Sequence, residues 1–179
     1  VKAREFLLSP ASRVLLISSP GGYGKSHLLR SIAQIAHEID RRTQVWMIRG
    51  GLRTMQDAMQ DEIVAGRRYL LLFDDADRFL DEIKPLLSRV RAGDSIKAIF
   101  SLRSSGRESL YRNVRETRLG AFCEEIRISD WSKDDLVTLL RAAANQGQVR
   151  DESTIVALYP NPFLIVWIGK QVSGKTAPS

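Results

Sequence analysis

The sequence predicts an α/β protein with a parallel sheet, followed by a small helical lid. Three observations carry that reading. Short apolar runs recur through the first two thirds of the chain without polar alternation, and stretches of helical period lie between them. From Trp131 onward the helical pattern continues but strands stop. A continuous apolar run fits a strand covered on both faces, as in sheets whose crossover helices lie on either side. Strands alternating with helices imply βαβ winding.

Taken in order, strands are expected at Val14–Ile17, Val45–Ile48, Tyr69–Phe73, Ile96–Leu102 and Ile126–Ile128, making a five-stranded sheet. After the first strand, Leu28, Ile32, Ile35, Ala36 and Ile39 share one helical face. Met55–Val64 and Leu80–Val90 are further helical stretches, the second interrupted by Pro85. Ser132 with Asp135 forms a capping box ahead of Leu136, Leu139 and Leu140. Gln146-Gly147-Gln148 ends that helix, and Asp151 opens another that runs through Leu158. Pro160-Asn161-Pro162 then starts an apolar helix from Phe163 to Ile168, with Gly169 near its end. The expected domains are residues 1–129 (α/β) and 130–179 (helical lid).

The chemistry is concentrated at Ser19-Pro20-Gly21-Gly22-Tyr23-Gly24-Lys25-Ser26, between the first strand and its helix. This is the arrangement of a phosphate-binding P-loop. Its glycines let backbone N–H groups turn inward around a polyphosphate. The helix starting near Lys25 adds unpaired N–H donors and a positive dipole end. Lys25 brings a mobile charge to the terminal phosphates, and the Ser26 hydroxyl is placed to ligate Mg²⁺. Ser19 stands where the motif has its first glycine.

Asp74-Asp75 ends the buried run Leu70–Phe73, where α/β proteins bind ligands. Asp74 is expected to hold Mg²⁺ opposite Ser26. Asp75 is expected to orient or deprotonate the attacking water. Arg103, at the end of the neighbouring strand, is positioned to reach a γ-phosphate. Together these residues read as the nucleotide-binding site of a three-layer P-loop NTPase fold, with ATP hydrolysis expected of it and turnover of the isolated chain left open.

Composition bounds the alternatives. The chain has 179 residues, of which 44% are hydrophobic and 27% charged, enough for one compact domain with an appendage. No apolar stretch suits a membrane span and the N-terminus shows no signal pattern. A single Cys123 rules out an internal disulfide, so a cytoplasmic setting is expected. The net charge of +6 is mostly scattered, with one locally basic stretch holding Arg107, Arg112, Arg115 and Arg118. That stretch reads as a solvated helix face in preference to a nucleic-acid patch.

Residues 19–29, Ser-Pro-Gly-Gly-Tyr-Gly-Lys-Ser-His-Leu-Leu, resemble the phosphate loop of STAND NTPases, a signal-transduction class related to AAA+ ATPases. Leu71-Leu72-Phe73-Asp74-Asp75 resembles that class's Walker B motif. Phe100-Ser101-Leu102-Arg103 resembles its sensor strand, and Pro160-Asn161-Pro162-Phe163-Leu164 its Gly-Leu-Pro-Leu element, with Pro160 replacing the glycine. The resemblance implies that Pro20, Gly21, Gly22, Tyr23, Gly24, Lys25, Ser26, His27 and Pro162 hold ATP or ADP. It implies Mg²⁺ on Ser26 and Asp74, and catalytic roles for Lys25, Asp75 and Arg103. It also implies a switch module that hydrolyses ATP slowly within a larger signalling or defence protein and self-associates, with an arginine such as Arg112, Arg115 or Arg118 acting in trans. Two alternatives stay open: an AAA+ motor or loader acting on nucleic acid, and an ADP-locked scaffold without turnover.

Overall fold

The computed structural model describes residues 2–48, 63–64, 66–92, 95–128, 131–145 and 149–173. The expected helix at 55–64 lies outside the described residues except for its last two, which are not helical. Residues 146–148 lie outside them as well.

Five parallel strands form one sheet: β1 (Val14–Ser19), β2 (Gln44–Ile48), β3 (Tyr69–Phe73), β4 (Ile96–Arg103) and β5 (Cys123–Arg127). Their spatial order is β2-β3-β4-β1-β5. The chain therefore crosses from β1 out to β2, returns through β3 and β4, and places β5 on the other side of β1. This topology brings β4 between the strand that feeds the phosphate loop and the strand that ends in the paired acids. Every residue of β1 and β3 is buried, as their unbroken apolar runs demand.

Helices α1 (Lys2–Leu8), α2 (Lys25–Ile39), α3 (Leu80–Ala92) and α4 (Arg107–Glu116) accompany the sheet. Leu29, Ile32 and Ala36 form the buried face of α2. Phe73 and Phe100 stack across β3 and β4 with ring centroids 4.7 Å apart, in the centre of the core.

Two expectations are corrected in this part of the chain, and one element is new. Pro85 does not interrupt α3, which runs through it: one helical hydrogen bond is lost, while Ile83, Leu86, Leu87 and Val90 stay buried. The last strand starts at Cys123 and ends at Arg127, not at 126–128. Its two acids are tolerated because Ser12 donates to Glu124, and Arg107 and Arg127 donate to Glu125. Finally, α1 was not anticipated. Phe6 buries its ring, and Lys97 on β4 donates to the Phe6 and Ser9 carbonyls at 2.6 and 2.5 Å, tying down the helix end. Desolvation and the nearby Arg13 push the Lys97 ammonium down to about 8, against the pull of Glu124.

The chain divides into two compact units, Val1–Ser19 with Lys25–Arg127, and Pro20–Gly24 with Ile128–Ser179. In the second, α5 (Lys133–Ala143), α6 (Glu152–Leu158) and α7 (Pro162–Ser173) bury Leu136, Leu140, Val156 and Ile165 together. Among the described residues no strand follows β5. The capping box is present, with the Asp135 N–H donating to Ser132 Oγ at 3.1 Å. Asp151 precedes α6 but makes no side-chain cap. Gly169 does not end α7. It lies inside the helix, where a β-carbon would come within 2.6 Å of the Ala143 β-carbon, so α5 and α7 approach closely there.

Candidate nucleotide site

In the first unit the site is built on the carboxyl ends of β1, β3 and β4. Lys25 is the first residue of α2 and is only 7% exposed. Its ammonium donates to the Ser19 carbonyl and to Ser19 Oγ, each at 3.3 Å. A glycine at position 19 would lack the second acceptor, so the departure from the usual motif contributes a lysine contact. Burial pushes the Lys25 ammonium below the ordinary lysine range. Asp75, Asp77 and Asp74 pull it back up, while Arg103 adds to the depression. Lys25 thus feels the charges of three other expected site residues, Asp75, Arg103 and Asp74.

Asp74 and Asp75 leave β3 differently. Asp74 accepts a hydrogen bond from the Ser101 hydroxyl at 2.8 Å, and the same oxygen accepts the Asp75 N–H at 3.1 Å. Ser101 is fully buried on β4, one residue beyond the Phe73–Phe100 pair. Among the described residues no ion pair holds Asp74. Asp75 takes a left-handed backbone (φ 51°, ψ 48°) and lies 3.5 Å from Arg78. This conformation is uncommon for a residue with a β-carbon, and aspartate is one of the few that adopts it. The following acid, Asp77, accepts the Arg103 N–H at 3.3 Å. Gly106 packs over it so tightly that a β-carbon there would fall 2.4 Å from the Asp77 β-carbon. Arg103 itself is exposed.

Ser26 and His27 are exposed in the first turn of α2. In the second unit, Gly22 and Gly24 have φ of +81° and +84°, the left-handed backbone an inward-turned N–H loop uses. Pro20 is exposed and Tyr23 half-buried. Pro162 is buried as the first residue of α7, and the residue before it touches the loop: Asn161 Nδ2 donates to the Gly21 carbonyl at 3.1 Å.

Two residues, one in each unit, escape motif reading. Ser101 stands in the sequence only as part of the Phe100–Arg103 run, and its signal is register: a hydroxyl one step beyond the Phe73–Phe100 pair. Asn161 has a weaker signal, an asparagine directly before a helix-starting proline.

The family described as novel STAND NTPase 5 matches residues 2–115. The chain belongs to that family. This STAND NTPase shares its fold with P-loop AAA+ ATPases. It is similar to domain III of the Thermotoga maritima replication initiation protein DnaA at 18% identity and TM-score 0.66, covering 99% of this chain and 85% of that one. It is similar to the S. cerevisiae Hsp104:casein complex at 10% identity and TM-score 0.66, covering 98% and 37%. It also resembles AMPPCP-bound DnaA from Aquifex aeolicus at 14% identity and TM-score 0.62, covering 93% and 57%. A search of curated proteins found no match. Among the described residues no helix of this STAND NTPase is long and apolar enough to cross a membrane.

Proposed function

We propose that this chain is the ATP-binding, slowly hydrolysing switch module of a larger multidomain signalling or defence protein, coupling nucleotide state to self-association. Residues 1–129 serve as the NTPase domain and 130–179 as the helical lid. The observation that carries the reading is the charge constellation on Lys25: a buried ammonium, held on Ser19, that feels the charges of Asp75, Arg103 and Asp74 at adjoining strand ends. The likeness to an AMPPCP-bound DnaA supports an adenine nucleotide as ligand.

The residues present fit Mg²⁺ and a triphosphate. A hydroxyl and a carboxylate, on Ser26 and Asp74, are hard oxygen donors of the kind Mg²⁺ prefers. When bound, the ion neutralises developing phosphate charge. Ser101 holds the Asp74 carboxylate ready for it. Lys25 and the N–H groups of Gly22 and Gly24 bind phosphate oxygens, Pro20, Tyr23, His27 and Pro162 line the nucleotide, and Asp75 orients the attacking water. Arg103 distinguishes triphosphate from diphosphate.

Calorimetric titration tests this reading. Lys25→Ala should weaken Mg²⁺-ATP binding about tenfold to a hundredfold, the worth of one charge-assisted hydrogen bond. Unchanged affinity would sink the assignment. Self-association is tested separately by turnover that rises more than linearly with protein concentration and falls in Arg115→Ala or Arg118→Ala. Both arginines are exposed, and the Arg115 guanidinium lies over the Tyr111 ring at 4.6 Å. A motor on nucleic acid is less favoured, because Arg107 spends its charge on Glu125 and Glu108 instead of a phosphate backbone.

A further inference from the structure

The amide of Asn161 serves two masters within the second unit. Its Oδ1 accepts the Phe163 N–H at 3.0 Å, and its main-chain carbonyl accepts the Ile165 N–H at 3.0 Å. Asn161 is thus the N-cap of α7, with Pro162 in the first helical position, where a missing N–H costs nothing. Its Nδ2 donates to the Gly21 carbonyl, 140 residues earlier in the chain. The next residue, Gly22, packs directly on this side chain. A β-carbon at Gly22 would fall 2.6 Å from Asn161 Oδ1 and 3.0 Å from the Phe163 β-carbon.

A loop that binds phosphate must turn its N–H groups to one side and its carbonyls to the other, because a carbonyl facing an anion repels it. A carbonyl engaged by a donor from outside the loop is fixed in the second orientation. We infer that Asn161 is a positioning residue for the phosphate loop: its amide holds the Gly21 carbonyl outward, and by capping α7 at the same time it makes the loop's shape and the helix start one structure. The inference rests on the nucleotide reading of residues 19–26, while the clamp itself is a property of the chain alone. It differs from a purely structural cap, which would need only Oδ1.

Substitutions separate the two functions. Asn161→Asp is isosteric and keeps an N-cap acceptor, yet replaces the donor with an oxygen facing the Gly21 carbonyl. Asn161→Ala removes both. Amide hydrogen exchange on this chain reads the clamp without nucleotide. Asn161→Asp should speed exchange over residues 20–24 several-fold while the first turns of α7 keep wild-type protection. Asn161→Ala should speed both. In ADP titrations, Asn161→Asp should weaken binding about threefold to tenfold, as loss of one neutral hydrogen bond implies. Wild-type exchange across residues 20–24 in Asn161→Asp would overturn the clamp. Faster loop exchange with unchanged ADP affinity would overturn the positioning role. A wild-type chain that binds neither ATP nor ADP would instead overturn the nucleotide reading, and with it the role, while exchange still decides the clamp.

Discussion

Asp74-Asp75 and Glu124-Glu125 are both adjacent acid pairs on the sheet, one following β3 and the other inside the edge strand β5. Glu125 is enclosed by cations. Arg107 donates to it at 2.6 and 3.0 Å, Arg127 at 3.0 and 3.2 Å, and Ser18 adds a hydroxyl at 3.3 Å. The hydrogen bonds from Arg107, and then those from Arg127, hold its carboxyl down at about 2. Asp74 instead accepts from a neutral hydroxyl, and among the described residues no ion pair holds it. A carboxylate paired with arginines from within the chain serves the fold at a sheet edge, whereas the one oriented by a hydroxyl has no ion-pair partner among the described residues. The same residue class therefore builds structure in one place and a candidate site in the other, and the partner decides which.

The sharpest way to break this contrast is to remove charge from each pair in turn. Asp75→Asn should keep nucleotide bound and slow hydrolysis about 10²–10⁴-fold, the usual worth of a positioned base. Single-turnover assays at wild-type rate would reduce Asp75 to a turn residue. Next in size is Ser101→Ala, which removes the acceptor of the part-buried Asp75 N–H and the donor to one Asp74 oxygen. It should cost about 1–3 kcal/mol in denaturant melts and raise the Mg²⁺ concentration needed for nucleotide binding. A variant that melts as wild type, with the same Mg²⁺ midpoint, would show that the hydroxyl orients nothing.

Glu125→Gln should have the smallest effect, about 1 kcal/mol at neutral pH, because its ion pairs face solvent on one side. The sign of its pH dependence follows from a carboxyl held below its ordinary 4.5. The stabilisation is complete above that value and disappears as pH falls from about 4.5 toward 2. Acid titrations of stability should accordingly be shallower in the variant over that window. Parallel curves would mean that the arginines do not stabilise the fold through this carboxylate.

Legibility in the sequence followed the range of the interaction. Strand β3 announced itself most plainly, because burial on both faces writes an unbroken apolar run into a few consecutive residues, and the apolar stretches of β1, β2 and β4 were legible by the same pattern. The start of β5 did not, since Cys123-Glu124-Glu125 reads as polar until Arg107, Arg127, Ser12 and Ser18 are known to satisfy it. Helix α1 was missed for the same reason. Its one buried side chain is Phe6, and the cation that ties down its end comes from Lys97, 91 positions away. At the site, Lys25 opens α2, Asp74 follows β3 and Arg103 ends β4, each marked by a local motif. Ser101 needed the β3–β4 register, and Asn161 needed a contact spanning most of the chain.

Gly106 carries a consequence for how this sequence is free to vary. Its missing side chain is the space that the Asp77 β-carbon occupies, and Asp77 in turn accepts the main-chain N–H of Arg103. Even the smallest change, Gly106→Ala, must displace Asp77 and disturb the hydrogen bond that anchors the sensor strand's end. Positions 77 and 106 therefore drift as one unit, while residue 103 enters only through its main chain. In any set of descendants of this chain, a side chain at 106 should appear only where residue 77 has shrunk to glycine or the turn around it has been rebuilt.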